Sequence, residues 1–420
     1  MTETCRSSLG LSYEAALIFT IHALTGCGLC LCAVGQRTRP GLRRAVAAVL
    51  ALAVNAALPK LFCRWQDTTT IVLLSFNVMW LSSFKALSWA VGRGALCTQT
   101  FTPAQFLATY VFPITPSAAE AGLPATPALA SLAAGASSEA VNDNPALPQT
   151  PEASGTAASV HAPEASPGTP AELRGGTGRL GDDAGSWAGM LAAWLAKAAM
   201  IAVLVWLLQQ PLPGLLESFL LGLALYALLS LIMDGPAALF IGRTGLRVSP
   251  HFDQPWLSTS VATFWSKRWD LAAGNTLRQL VFDCIVDGSL LPPPSGTPPS
   301  RPSAARQLLA TTLSFATSGL VHECIFWYLT GKTTGGVWLA FFLLQVPVIV
   351  CERLLLAVLK RRGILLPSWL RASTTCMLIV VTAQHLFWAP AKRCGVIDSV
   401  VLNMYRGVLS LLKQARLLAS

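Results

Sequence analysis

Few residues in this 420-residue chain carry charge: 12% are Asp, Glu, Lys or Arg, while 53% are hydrophobic. A soluble domain carries about 25% charged residues, so an ordinary water-soluble globule is excluded. A multispanning membrane protein is expected instead, and the mean hydropathy is positive. No cleavable leader is expected, because the first residues mix Glu3, Arg6 and polar groups without a basic n-region. The first span is therefore expected to remain as an anchor. The 11 cysteines show neither zinc-type pairing nor an even framework, which sets aside a metal module and a disulfide scaffold. Cys27, Cys30 and Cys32 fall inside the first span, where they pack as small apolar groups. No basic face is interleaved with exposed aromatics outside the membrane, which argues against nucleic-acid binding.

What is present is a series of apolar runs long enough to cross a bilayer. They lie near 13–35, 44–63, 70–92, 187–208, 213–234, 306–329, 335–359, 372–389 and 396–413. The expected fold is all-α, a polytopic helix bundle of about nine spans, with Pro347 kinking the seventh. The net charge of +10 is concentrated in short loops. Arg37, Arg39, Arg43 and Arg44 form one group, Lys267, Arg268 and Arg278 another, and Lys360, Arg361 and Arg362 a third. Cationic loops stay cytosolic. Nine spans with a lumenal N-terminus put all three groups on that side, together with Lys413 and Arg416 in the C-terminal tail.

One long stretch departs from this pattern. Residues 113–185 are rich in Ala, Pro, Ser, Gly and Thr and contain no Phe, Trp or Tyr. Such a segment cannot bury enough apolar surface to offset its ordering entropy, so a disordered cytosolic insert is expected. The chain then divides into an N-terminal three-span region (1–112), the insert (113–185) and a core (186–420). A shorter Pro/Ser/Gly run, 291–303, is expected to be a flexible connector.

Two clusters carry chemistry. Ser318-Gly319-Leu320-Val321-His322-Glu323 places an imidazole beside a carboxylate inside an apolar span, where ionisable groups are costly. Upstream lies Phe264-Trp265-Ser266-Lys267-Arg268-Trp269-Asp270, aromatic and cationic. Acyl transfer from a thioester to an alcohol needs a base for the hydroxyl proton, donors for the oxyanion and exclusion of water. A neutral His322 can serve as that base through direct attack, without an acyl-enzyme. Glu323 lies about 100° around the helix, so it either acts in catalysis or braces a neighbouring helix. Trp265, Lys267, Arg268 and Trp269 suit the phosphates and adenine of coenzyme A, or else anchor an amphipathic helix among headgroups. Asp270 either orients groups near the reaction centre or caps locally. His251 packs or sits at the site entrance, and His22 and His385 are read as packing groups. Lys85 snorkels to the cytosolic face or helps to hold a phosphate.

These residues also carry a family resemblance. Pro250-His251-Phe252-Asp253-Gln254-Pro255-Trp256, Ser258 to Ser260 and Phe264 to Trp269 resemble the signature of plant-type wax synthases, a branch of the membrane-bound O-acyltransferases. Ser318 to Glu323, continued by Phe326-Trp327-Tyr328, resembles the family's Ser-Gly-x-x-His-Glu segment. Trp80 to Lys85, followed by Gly92-Arg93-Gly94, resembles a third block. The family commonly has Asn at the position of Asp270. The resemblance implies an endoplasmic-reticulum enzyme that moves a fatty acyl group from acyl-CoA, its co-substrate, to a lipophilic alcohol, with no permanently bound cofactor. A long-chain alcohol giving wax esters is the first expectation, and a sterol or diacylglycerol acceptor the alternative. A proton-coupled lipid or solute transporter and an inactive scaffold are the readings from other classes. The transporter reading expects an internal repeat with paired broken helices, and none is found.

Overall fold

Helix starts and stops are written into local capping chemistry. In the computed structural model, which describes residues 10–97, 101–116, 187–244, 248–294 and 302–419, Ser12 accepts from the Ala15 amide and opens α1 (Tyr13–Arg37). Two spans follow: α2 (Leu42–Ala57), prolonged by a 3₁₀ turn to Leu61, and α3 (Thr68–Ala90). The short α4 (Pro103–Val111) begins with a reciprocal capping box between Thr102 and Gln105, with Pro103 at its first position. Beyond 117–186 come α5 (Trp187–Leu207) and α6 (Gly214–Thr244). The compact α7 (Leu271–Leu277) continues through a π turn to Asp287. Then come α8 (Ala304–Thr330), α9 (Val337–Arg361), α10 (Ser368–Arg393, with a π turn at Gln384–Trp388) and α11 (Val396–Ala419).

Among the described residues, seven helices are long and apolar enough to span a membrane: α1, α2, α3, the Gly214–Gly235 part of α6, α8, α9 and α10. Their outward faces are apolar, with Leu354, Leu355, Val358 and Trp369 exposed, as helices in lipid require. The other two expected spans fall on α5 and α11. α5 is 21 residues long with Lys197 as its one charged residue, and α11 spreads Asp398, Arg406 and Lys413 along its length, so charge interrupts its hydropathy. Pro347 is accommodated inside α9 without ending the helix.

The span most enclosed by protein is α3. It carries buried Ser75, Ser82, Ser83, Lys85 and Ser88 alongside Phe76, Trp80 and Leu81. Such polar content fits burial against helices better than contact with lipid. Asn55 donates to Ser83 Oγ at 3.1 Å and accepts from the Tyr110 hydroxyl at 3.0 Å, linking α2, α3 and α4. Lys85 does not snorkel outward. Its Nζ donates to the Thr109 and Phe112 carbonyls at 2.8 and 2.6 Å, closing the C-terminal end of α4 where a cation is favoured.

The described residues on both sides of the 117–186 stretch pack as one unit. A core cluster joins Ile71, Phe76 and Leu81 of α3 to Val321, Ile325 and Phe326 of α8 and to Trp338 of α9. Of the expected insert, residues 113–116 are described, and they are folded. Pro116 bridges Val248, and the Ser249 amide donates to the Thr115 carbonyl at 2.9 Å. The expectation of disorder for 117–185, and the central part of the 291–303 connector, lie outside the described residues.

Candidate active site

His322 sits on α8 one turn after Ser318, whose carbonyl lies 2.7 Å from Nδ1. A carbonyl oxygen only accepts, so Nδ1 carries the hydrogen and Nε2 keeps its lone pair. Among the described residues Nε2 makes no hydrogen bond. Four aromatic rings enclose the imidazole. Phe342 lies 4.3 Å away between centroids, Trp80 5.3 Å, Phe387 5.8 Å and Trp338 6.1 Å. These rings come from α3, α9 and α10. Trp338 and Phe387 stack at 4.6 Å, and the Trp338 indole donates to the Phe387 carbonyl at 2.8 Å, which fixes that wall.

Glu323 faces a different task. Its carboxylate accepts from the Thr334 amide at 2.8 Å, the Trp338 amide at 3.1 Å and the Leu339 amide at 3.4 Å, and also from the Thr334 hydroxyl. The residue at the N-cap of α9 is Gly336, which offers no side-chain acceptor. Glu323 therefore caps α9 from the neighbouring helix, satisfying open amides and meeting the positive end of the dipole. Of the two readings left open by the sequence, the geometry shows the brace. Gly319 allows the same approach: a Cβ there would lie 2.9 Å from Leu339 Cα.

The upstream cluster folds against this wall. Ser260 caps the Thr263 amide, and the Val261 amide donates to Glu352 of α9 at 2.9 Å. Trp265 donates from its indole to Gln345 at 3.2 Å and packs against Phe342 at 5.8 Å, one ring away from His322. Trp269 stacks on Phe264 at 5.5 Å and meets Phe252 edge-on at 5.4 Å. Arg268 donates to the Asp253 and Gln254 carbonyls at 3.0 and 3.2 Å, holding the preceding loop. Lys267 is exposed. The structure thus brings Trp265 towards His322, turns Arg268 and Trp269 to local packing and leaves Lys267 at the surface.

Asp270 is buried and adopts the left-handed conformation, with φ of +40°. Its Oδ1 accepts from the Ala273 amide at 3.1 Å and caps α7. Burial pushes its carboxyl up to about 6, while the Ala273 amide and the His251 charge pull the other way. Asp and Asn are the residues that best tolerate this backbone region and this capping task, so the two are interchangeable in shape here. No hydrogen bond joins Asp270 to His322 among the described residues.

His251 is 2% exposed and lines no entrance. Its Nδ1 meets Asp234 at 3.0 Å and its Nε2 meets the Pro113 carbonyl at 2.6 Å. Asp234 also accepts from Ser230 at 2.7 Å and pairs with Lys197. This network ties α5, α6 and residue 113 to the loop that begins the signature.

The walls Trp338, Phe342 and Phe387 were not singled out from the sequence, since an aromatic in an apolar span is core by default. A further apolar surface lies along α10. A groove of about 580 Å³ is lined by Leu216 and Phe219 of α6, Trp256 and Leu257, and Met377 and Val380 of α10. Farther along α10 is Phe387, at the imidazole.

Comparison with known proteins bears on this geometry. Residues 248–344, from the loop at His251 through His322 to Phe342, match the membrane bound O-acyl transferase family. Among curated relatives, a probable long-chain-alcohol O-fatty-acyltransferase (number 8) of Arabidopsis thaliana is 29% identical over 50% of this chain and 60% of its own. A second (number 7) from the same plant is 28% identical over 51% of this chain and 63% of its own. The acyl-CoA–sterol O-acyltransferase 1 of Arabidopsis thaliana is 26% identical over 45% and 52%. The chain thus spans between half and two thirds of the length of these relatives. Both His322 and the capped start of α9 fall inside the membrane-bound O-acyltransferase segment, whereas Trp80 and Phe387 reach it from outside.

Proposed function

We propose that this protein transfers a long-chain fatty acyl group from acyl-CoA to a lipophilic alcohol, with a long-chain fatty alcohol as acceptor and a wax ester as product. The observation that carries the reading is the held imidazole: Nδ1 is tied to Ser318, Nε2 is uncommitted, and four aromatic rings surround it within a family segment. The alcohol hydroxyl gives its proton to Nε2 as its oxygen attacks the thioester carbonyl. The C–O bond forms, the C–S bond breaks, and the imidazolium returns the proton to the departing thiolate. Aromatic faces around the ring favour that transient cation, and the apolar walls keep water from competing for the acyl group.

Asp270 acts by position, setting the αL turn that aims the Trp265 segment at the cage. Lys267 and Arg268 meet the phosphates of acyl-CoA at the cytosolic face, with Trp265 and Trp269 shaping the approach. No permanently bound cofactor takes part. The groove along α10 accommodates hydrocarbon. Residues 186–420 form the catalytic core, the three-span region 1–112 supports it, and 113–185 is a cytosolic insert. The enzyme resides in the endoplasmic reticulum, N-terminus lumenal and C-terminus cytosolic. A sterol acceptor is the second reading, favoured by similarity to the sterol O-acyltransferase.

The test is ester synthesis in microsomes from cells that lack their own neutral-lipid acyltransferases. Labelled palmitoyl-CoA is supplied with a long-chain alcohol, a sterol and diacylglycerol in competition. A dominant labelled wax ester supports the proposal, and a dominant sterol ester selects the second reading. No product above background, with the protein present in the membrane, overturns both.

A further inference from the structure

Three indoles lie around the His322 site, and two of them are satisfied. Trp338 donates to the Phe387 carbonyl at 2.8 Å and Trp265 to Gln345 at 3.2 Å. The third is Trp80, on the π-helical stretch Leu74–Ser82 of α3. It is 3% exposed, and its Nε1 has no hydrogen-bond partner among the described residues. An indole nitrogen only donates, and leaving a buried donor unpaired costs about 1–3 kcal/mol. Phe76 packs against one side of Trp80 at 5.5 Å and the His322 ring against it at 5.3 Å, both edge-on. The indole that bears the open donor therefore packs against the imidazole whose own Nε2 is also open. A departure from α-helical winding at the same residue fits a functional position.

Resting on the acyl-transfer reading above, we infer that Trp80 Nε1–H is the donor that receives the thioester carbonyl oxygen and stabilises it as an oxyanion. The chemistry chooses between the two substrate oxygens. The alcohol oxygen must surrender its proton to His322 Nε2 and attack, and a donor directed at it would weaken the nucleophile. The carbonyl oxygen gains negative charge as the C–O bond forms and loses it when the C–S bond breaks, so a fixed donor there acts on the transition state. Among the rings of the cage, Phe342 and Phe387 offer no donor and Trp338 has spent its own. A donor that is already desolvated and held in place needs no reorganisation when charge develops, which is the condition for a large electrostatic effect.

The test replaces the Trp80 indole by benzothiophene, an isostere with sulfur in place of N–H, in the full-length protein in microsomes. Trp80→Phe serves as the second variant. The expected result is a fall in kcat of about 10²–10³-fold with little change in KM, the range seen when one oxyanion donor is removed. The pH–rate profile stays in place, because the base is untouched. In the benzothiophene variant the thermal midpoint is unchanged or higher, because shape is kept and no bond in the resting protein is lost; a merely structural Trp80 would show the reverse pattern. A parent that turns over beside an equally active benzothiophene variant overturns the donor role alone. A parent that forms no ester overturns the donor role and the reaction together.

Discussion

His251 and His322 are both held by hydrogen bonds inside the helical bundle, but the number of nitrogens held differs. His251 has both nitrogens on oxygen acceptors, Asp234 and the Pro113 carbonyl, and belongs to a polar knot with Ser230 and Lys197. His322 has one nitrogen on a carbonyl and the other uncommitted, its lone pair accepting no hydrogen bond among the described residues. His22 supplies a third case: its Nδ1 bonds the Ile18 carbonyl at 2.8 Å, the same one-turn contact as in His322, but on an exposed face of α1. Tethering to the preceding turn is thus common to two histidines, and only one of them is enclosed. A reactive imidazole here needs a free lone pair and a closed wall together.

The widest separation between the two regions comes from truncating each histidine. His322→Ala is expected to lower ester formation by about 10²–10⁴-fold, the range for loss of a general base, while membrane accumulation and thermal midpoint remain near the parent. Retained turnover would end the base assignment. His251→Ala is expected to do the opposite, destabilising by about 2–4 kcal/mol as Asp234 and the Pro113 carbonyl lose their shared donor. Thermal melting of the detergent-solubilised protein measures it. A stable variant with lost kcat would instead move His251 into the reaction.

Glu323→Ala tests whether the residue beside the base is scaffold. Loss of the cap on α9 is expected to cost about 1–2 kcal/mol and to loosen Trp338, so activity and melting temperature fall together. Glu323→Gln, which keeps an acceptor, restores most of both. A Gln variant that is stable yet inactive would argue for carboxylate chemistry. Asp270→Asn is expected to have the smallest effect on turnover, since Asn fits the αL turn and the cap. Its signature is in stability. Burial pushes the folded carboxyl up to about 6, above the ordinary carboxylate range of about 4, so the native state binds the proton more tightly and the parent loses stability as pH rises from about 4 through 6. The Asn variant lacks that decline, and melting curves taken across this range should diverge upward in its favour, then run parallel.

The comparison also shows what was legible in the sequence. His322 was legible because a titratable group in an apolar run is conspicuous and its flanking residues carry a family pattern. Its walls were not, because Trp80 and Phe387 arrive from spans far away in the chain, and nothing local marks an aromatic as facing an imidazole. Glu323 could be read two ways, since its position on the helix says which direction it points but not what stands there; the open amides of α9 settle it. Seven spans were legible from length and hydropathy alone. α11 was harder to read, because a long run can be apolar on average while charged along one face. Lys85 was read as reaching for water or for a phosphate because a cation in a span normally seeks the polar face, and the carbonyls that end α4 offered it a nearer partner.

The cap that Glu323 provides to α9 has a consequence for biogenesis. A lone α8 entering the bilayer would present a carboxylate to lipid, and a lone α9 would present the unsatisfied amides of its first turn. Only the turn at 331–336 separates the two helices, so the groups that neutralise each other emerge from the ribosome close together. Inserted as a hairpin, each helix masks the other's polar end before either meets hydrocarbon. The pair, rather than the single span, is the unit in which these polar groups are satisfied.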